Sequence, residues 1–354
     1  MTDSVTLDGS YGEGGGQIVR TALALSALTG RPLRIVNVRG GREQPGLRPQ
    51  HLSAVRAVAA LCDAQVEGDA VHSRELFFAP RTAPQPGNYT IDVADAAPGG
   101  SAGSVTLILQ ALLIPLSMAS GPSTLRLIGG THVRWSPPYP YITDIYMPVM
   151  ERIGFRASLE VADWGWYPRG GGQITARIAP VPGGAMALRG LDLTERGKLL
   201  GVSGISAASR LPEHIIQRQR DQAVARLRAR HIKAEFEMID APSPGPGTLL
   251  FIRAQYEGIT AGFSGFGRLR YPAEKVAEDA VRSFEAHLTR KAALDPHLAD
   301  QLLLPLALAP EPSRYTTTEV TRHLRTVVWV VNRFIEREIR IEGEEGAPGY
   351  VQIL

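Results

Sequence analysis

The chain is poor in cysteine: Cys62 is the only one in 354 residues. A lone thiol excludes an internal disulfide and a thiolate zinc cluster, and it fits a reducing compartment. Lysine is scarce too, limited to Lys198, Lys233, Lys275 and Lys291. Long apolar runs are missing. The longest, Leu107 to Met118, contains Gln110 and Pro115 and is too short to span a bilayer. Met1 is followed by Thr2, Asp3 and Ser4 rather than a basic and then apolar leader, so a soluble cytoplasmic protein is expected.

Several catalytic signatures are also missing. The eight histidines (His51, His72, His132, His214, His231, His287, His297 and His323) include no HExxH pair. No GxSxG elbow is present, and Cys62 sits in an apolar stretch, so serine and cysteine hydrolase readings have no support. The glycine run Gly12 to Gln17 (GEGGGQ) lacks the lysine of a P-loop and the spacing of a dinucleotide fingerprint.

What is present is an ordinary globular balance, 44% hydrophobic and 21% charged. Thirty-eight basic against 35 acidic residues leave a net charge of +3, which permits a nucleic-acid partner without demanding one. The length implies two domains, or one repeat-built domain carrying an insertion.

Internal similarity supports the second choice. Gly14 to Gly41 and Gly100 to Gly130 each read as glycine-rich turn, apolar helix, Gly/Pro stop and short strand (Leu33 to Val38; Leu125 to Ile128). Each is followed by a Pro-containing loop, a helix (His51 to Cys62; Tyr141 to Ile153) and a strand (Ala64 to Glu67; Arg156 to Val161). A third copy is expected at the C-terminus: helix Leu298 to Leu308, strand Tyr315 to Val320, a short loop holding His323, helix Leu324 to Glu336 and strand Glu338 to Glu342. Between them, Gly184 to Tyr271 follows another pattern. A strand (Leu199 to Ile205), a basic helix (Glu213 to Arg230) and two strands (Lys233 to Met238; Thr248 to Tyr256) predict an inserted small α/β domain. The catalytic unit is then 1–183 plus 272–354, and the insertion 184–271.

If the copies are equivalent, their strand-to-helix loops converge. Those loops hold Arg39 and Arg42, then Thr131 to Pro138, then His323. Arginine forks suit phosphate, and an adjacent imidazole suits a nucleophile or base. Glycines ahead of the first helix offer backbone N–H groups to an anion, with Glu13, Gln17 and Arg20 the polar residues beside them. Each arginine also has a plain reading as a solvated charge, and His323 as a loop residue. Asp300 and Gln301 suit a helix first turn, where an acid is favourable. Gln110 is harder to explain blandly, because a buried amide needs a partner. The arginines of the basic helix (Arg218, Arg220, Arg226, Arg228, Arg230) read as a solvated face.

Seven stretches together resemble one family, the RNA 3′-terminal phosphate cyclases. They are LDGSYGEGGGQIVRTALALS (Leu7 to Ser26), RGGREQPGLRPQHL (Arg39 to Leu52), GSAGSVTLILQALL (Gly100 to Leu113), GGTHVRWSPPYPY (Gly129 to Tyr141), WYPRGGG (Trp166 to Gly172), HLADQLLLPLALA (His297 to Ala309) and TRHLRT (Thr321 to Thr326). The resemblance implies an α/β fold of three repeats like the C-terminal domain of translation initiation factor 3, with a small thioredoxin-like domain inserted in the third. It implies conversion of an RNA 3′-phosphate to a 2′,3′-cyclic phosphodiester, with ATP as substrate and a divalent metal, Mg²⁺ or Mn²⁺. The adenylated histidine falls on His323. The nucleotide pocket falls on Gln110, Pro137, Tyr141, His297, Leu298, Ala299, Asp300 and Gln301. Residues for phosphate and the RNA end fall on Arg20, Arg39, Arg42 and Gln50, and the metal-side carboxylate on Glu13. Where relatives often carry Tyr before Leu-Ala-Asp-Gln this chain has His297, which can still stack on adenine. Two other classes stay in view. A non-catalytic binding relative of the same fold lacks the histidine. An enolpyruvyl-type transferase calls for lysines that the motif loops do not have.

Overall fold

A computed structural model describes residues 4–97 and 101–354. Gly100, the first residue of one of the motif stretches, lies outside them. The first part of the chain runs β1 (Val5–Asp8), α1 (Gly16–Thr29), β2 (Leu33–Val36), α2 (Pro49–Leu61), β3 (Gln65–Glu67) and β4 (Leu76–Ala79). These strands form a sheet of order β1-β2-β4-β3, with β1 and β2 parallel and the rest antiparallel. The second part runs β5 (Asn88–Asp92), α3 (Val105–Ser117), β6 (Ser123–Gly129), α4 (Tyr139–Tyr141), a π-helical turn Ile142–Tyr146, α5 (Met147–Ile153), β7 (Arg156–Asp163) and β8 (Gly172–Ala179). Its sheet, β5-β6-β8-β7, has the same order and the same senses.

The third such sheet is split in sequence. It joins β9 (Asp192–Leu193) to β14 (Ser313–Thr317), β16 (Gly349–Ile353) and β15 (Ile339–Glu342), again with the first pair parallel. Its helices are α8 (Pro296–Gln301), α9 (Leu303–Leu308) and α10 (Arg322–Phe334). The single helix expected over Leu298 to Leu308 is two short helices meeting at Leu302, with Pro305 removing a backbone donor just beyond. Alternating strands and apolar helix faces bury one large core, in which α1 packs against α2, α3 and α10.

Between β9 and α8 lies a fourth sheet. It contains β10 (Leu199–Ser209), β11 (Ala234–Asp240), β12 (Gly247–Tyr256) and β13 (Thr260–Phe266) in the order β11-β10-β12-β13. Two helices cover it, α6 (His214–Arg228) and α7 (Ala273–Thr289), and together they enclose a second core. The sequence reading ends this region at Tyr271. Helix α7 belongs to it spatially, because Val276, Ala277, Ala280, Val281 and Phe284 recur at helical spacing and seal the sheet. Arginines of α6 and of the turn after it face acids of α7: Arg218 pairs with Glu274, and Arg226 and Arg230 with Glu285. Among the described residues no helix is long and apolar enough to cross a membrane.

Candidate active site

Four helices begin near one another. A side chain at Gly16, the first residue of α1, would run into the His51 ring in the first turn of α2. A side chain at Gly12 would meet Thr326 of α10. Gln50, in the first turn of α2, accepts a bond from Ser104 N, the cap of α3, at 3.0 Å. None of α1, α2, α3 and α10 carries an acid in its first turn. Four helix starts with unopposed N–H dipoles make a natural seat for anions.

Glu13 stands at the centre. Its side chain is 10% exposed and pairs with Arg42 on one oxygen, while the other lies 3.5 Å from His323 Nδ1. Its backbone N–H donates to Thr326 Oγ1 at 3.2 Å, which ties the glycine turn to α10. Thr326 in turn donates to the Arg322 carbonyl. His323 lies in the first turn of α10, not in the preceding loop as the sequence suggests. Thr321 caps the helix by accepting from Leu324 N at 3.0 Å, and the cap starts α10 two residues early. The turn holds the imidazole toward Glu13. Its side chain is 42% exposed. Even so, burial, then Arg20, Arg42 and His297, push its pKa down to about 4, so the ring is neutral at ordinary pH.

The arginines take different postures. Arg20 donates to Gln17 Oε1 at 2.7 Å, and burial lowers its pKa to about 10 against the opposing pull of Asp300. Arg42 reaches Glu13. Arg39 sits at φ 53° and spends one nitrogen on the carbonyls of Gln44 and Gly46, so part of its fork braces its own loop. His51 was not singled out by the sequence. It is buried among Arg20, Arg39, Arg42 and Arg48, and burial first and these charges next hold its pKa well below the usual value. Its Nδ1 accepts from Arg48 N at 3.2 Å, which leaves the proton on Nε2, the nitrogen nearest Gly16. Only its position after Gln50 marks it in sequence.

A second wall carries the expected nucleotide residues. Ser104 Oγ and Thr106 Oγ1 are 2.8 Å apart, and Thr106 donates to the Pro137 carbonyl at 2.7 Å. With the Gln50–Ser104 bond this forms a chain from α2 to the Thr131–Pro138 loop. Ser104 and Thr106 were not anticipated, since small hydroxyl residues are common in helix starts. Gln110 follows on α3, with an amide nitrogen that has no partner. His297 is exposed, while Leu298 and Ala299 are enclosed in the core. Tyr141 is buried and donates to Asp295 Oδ1 at 2.8 Å, and that carboxylate also caps α8 through His297 N and Leu298 N. Tyr141 therefore supports the start of α8 from beneath. Asp300 is buried as well, and its pKa is held well above the usual carboxylate range, first by burial and then by Asp295. Gln301 keeps an unpartnered side-chain oxygen.

Among the described residues no group of three or more His, Cys, Asp or Glu gathers as a metal site. Glu13 is the carboxylate that lies against the histidine.

A family model described as RNA 3′-terminal phosphate cyclase matches residues 11–341. The chain is 47% identical over 338 residues to the RNA 3′-terminal phosphate cyclase of Nostoc punctiforme, covering 95% of this chain and 96% of that one. The corresponding protein of Methylococcus capsulatus is 45% identical over 347 residues, covering 98% and 95%. That of Methanopyrus kandleri is 41% identical over 357 residues, covering 99% and 98%. Among solved structures, the enolpyruvyl transferase NikO from Streptomyces tendae overlaps 51% of this chain and 33% of its own, at 14% identity and a TM-score of 0.27, too slight a likeness to bear on the reading. A model match across residues 11–341 and identities of 41–47% over nearly whole chains place this protein in the RNA 3′-terminal phosphate cyclase family.

Proposed function

We propose that this enzyme converts an RNA 3′-phosphate to a 2′,3′-cyclic phosphodiester at the expense of ATP, through an adenylated His323. The observation that carries the proposal is the meeting of His323, Glu13 and Arg42 where four helix starts converge. Glu13 faces Nδ1 and favours a proton there, which leaves the Nε2 lone pair free as nucleophile. Nε2 attacks the α-phosphorus of ATP; the bond to the β-phosphate oxygen breaks and pyrophosphate leaves. An oxygen of the RNA 3′-phosphate then attacks the same phosphorus, the P–N bond breaks, and the imidazole regains its lone pair. The vicinal 2′-hydroxyl attacks the 3′-phosphorus, the bond to the AMP phosphate oxygen breaks, AMP departs with the hydroxyl proton, and the ring closes. The tethered 2′-oxygen makes this last step effectively unimolecular.

Arg20, Arg39, Arg42 and Gln50 take the phosphates and the RNA end. Gln110, Pro137, His297, Asp300 and Gln301 take the adenosine, with Tyr141, Leu298 and Ala299 as support. One buried carboxylate plus nucleotide oxygens suits Mg²⁺ or Mn²⁺, so Glu13 would hold such an ion, which neutralises phosphate charge when bound. In this reading the three like sheets are repeats of a unit similar to the C-terminal domain of translation initiation factor 3. The fourth sheet with α6 and α7 is an inserted thioredoxin-like domain, supported by its own core. A reducing, cytoplasmic setting accompanies it, consistent with the single buried thiol.

The test is incubation with ATP labelled at the α-phosphate plus Mg²⁺ or Mn²⁺, beside His323→Ala. Acid-labile, alkali-stable label on the wild type alone is expected. A folded wild type that stays unlabelled across metals and pH sinks the proposal.

A further inference from the structure

Two loops next to the site are locked together at their roots. Thr131 N and His132 N both donate to the Gly165 carbonyl, at 3.0 and 3.1 Å, and Gly165 N donates back to Thr131 Oγ1 at 2.8 Å. The His132 ring, buried, stacks on Trp164 at 3.7 Å and 6°, with Trp166 and Tyr139 tilted around it. Trp166 is anchored by a bond from Nε1 to Ser209 Oγ at 2.9 Å. A buried aromatic stack thus fixes how both loops leave the core.

Their tips behave in the opposite way. Trp135 is 91% exposed and Tyr167 is 78% exposed. Trp135 sits at φ 65°, a conformation a bulky residue adopts only where its surroundings impose it. Ser136 Oγ, donating to the Val133 carbonyl at 2.9 Å, closes that turn. Trp135 has a cation beside it, the Arg134 guanidinium 5.3 Å from its ring, while Arg169, two residues after Tyr167, donates to the Pro244 carbonyl at 2.9 Å and so braces the Tyr167 loop. Exposing an indole and a phenol to water gains a monomer nothing, and an aromatic face with an adjacent guanidinium is the equipment that stacks a nucleobase and attracts its phosphate.

Placement connects these tips to the reaction. Trp135 is two residues from Pro137, within roughly 8 Å along the backbone. The segment Ser101 to Ser104 runs beneath both loops. Ser104 bridges to Gly130, and Gly170 fits so closely against Ser101 that any side chain there would collide with its carbonyl. The far end of that segment is the Ser104–Gln50 bond beside the arginines. An RNA whose 3′-phosphate lies among those arginines has chain only on its 5′ side.

We infer that Trp135 and Tyr167 form a stacking platform for bases on the 5′ side of the reacting end, with Arg134 contacting an intervening phosphate. The inference rests on the cyclase reading and adds to it a binding subsite outside the reacting atoms. It makes the enzyme sensitive to single-strand length and indifferent to base identity.

The test uses the full chain with Trp135→Ala, Tyr167→Ala and Trp135→Phe, and two probes, a long single-stranded 3′-phosphorylated oligoribonucleotide and a 3′-phosphorylated dinucleotide. Each alanine should raise KM for the long probe about tenfold or more, at unchanged kcat. Neither should change KM for the dinucleotide or the extent of labelling by ATP, and Trp135→Phe should retain most of the affinity. Fluorescence anisotropy of the long probe without ATP should show the same weakening, so the platform is tested even if the histidine never labels. Unchanged affinity for the long probe, or equal losses for both probes, would overturn the platform.

Discussion

Thr106→Val removes one oxygen from a buried chain and keeps the volume. In the native protein Thr106 has a single hydroxyl proton, and it goes to the Pro137 carbonyl at 2.7 Å. Ser104 must therefore donate to Thr106 across their 2.8 Å contact, while Ser104 N–H holds Gln50 Oε1. Valine leaves the Ser104 hydroxyl without an acceptor in a dry site, and it frees the Pro137 carbonyl. An orphaned buried group costs about 1–3 kcal/mol, and because Pro137 is partly exposed and can find water, we expect about 1–2 kcal/mol. Urea denaturation reads this as a lower midpoint at unchanged slope. The functional consequence lies on the Pro137 loop, which loses its tether to α3. If Pro137 flanks the nucleotide, KM for ATP in the self-labelling reaction should rise about tenfold, equivalent to about 1.4 kcal/mol. Thr106→Ser supplies the control. It keeps the hydroxyl and drops a buried methyl, so it should lose about 1 kcal/mol of stability yet keep the native KM. A valine variant with native KM, or a serine variant as impaired as valine, refutes the argument that this hydroxyl positions the loop.

Two further outcomes follow from the geometry. Gly16→Ala adds a methyl that collides with His51 and falls 3.0 Å from Arg20 Nη1. Circular dichroism should be unchanged while KM for the RNA end rises more than tenfold, and a native KM would show that His51 is not held against the arginines. Burial, with Arg196 a second cause, pushes His287 down to about 3 from an ordinary 6.5. Below pH 6.5 the unfolded chain takes up a proton that the folded chain refuses, so stability falls as pH drops. At pH 5 the loss from this residue is about 2 kcal/mol. His287→Gln should flatten the fall of urea midpoint between pH 7 and 5, and an unaltered slope would rule the residue out.

What the sequence determined by itself is local. Glycine and proline stops, apolar periodicity and caps depend on near neighbours, so the mixed α/β character and the main helices α1, α2, α3, α6 and α10 were legible. Strands β4, β8 and β16 were not legible, since each gains a ladder from a strand distant in sequence that folding brings in. Helix α7 was missed in the same way, because its apolar stripe has meaning only against the second core.

The site shows the same division. The sequence proposed Glu13, Arg42 and His323 as separate candidates, and only the packing of α1 against α10 brings Glu13 between the other two. The start of α10 at Arg322 depends on one capping hydroxyl, and that cap decides whether His323 is a loose loop residue or an aimed one. Tyr141 reads in sequence like a pocket aromatic, yet tertiary burial sets it under Asp295. The chain from Gln50 through Ser104 and Thr106 to Pro137 joins residues more than 80 positions apart. Hydrogen bonds over such separations are made by the folded core and not by neighbouring residues, so that link, and with it the placement of the Thr131–Pro138 loop against the start of α2, belonged to the tertiary structure alone.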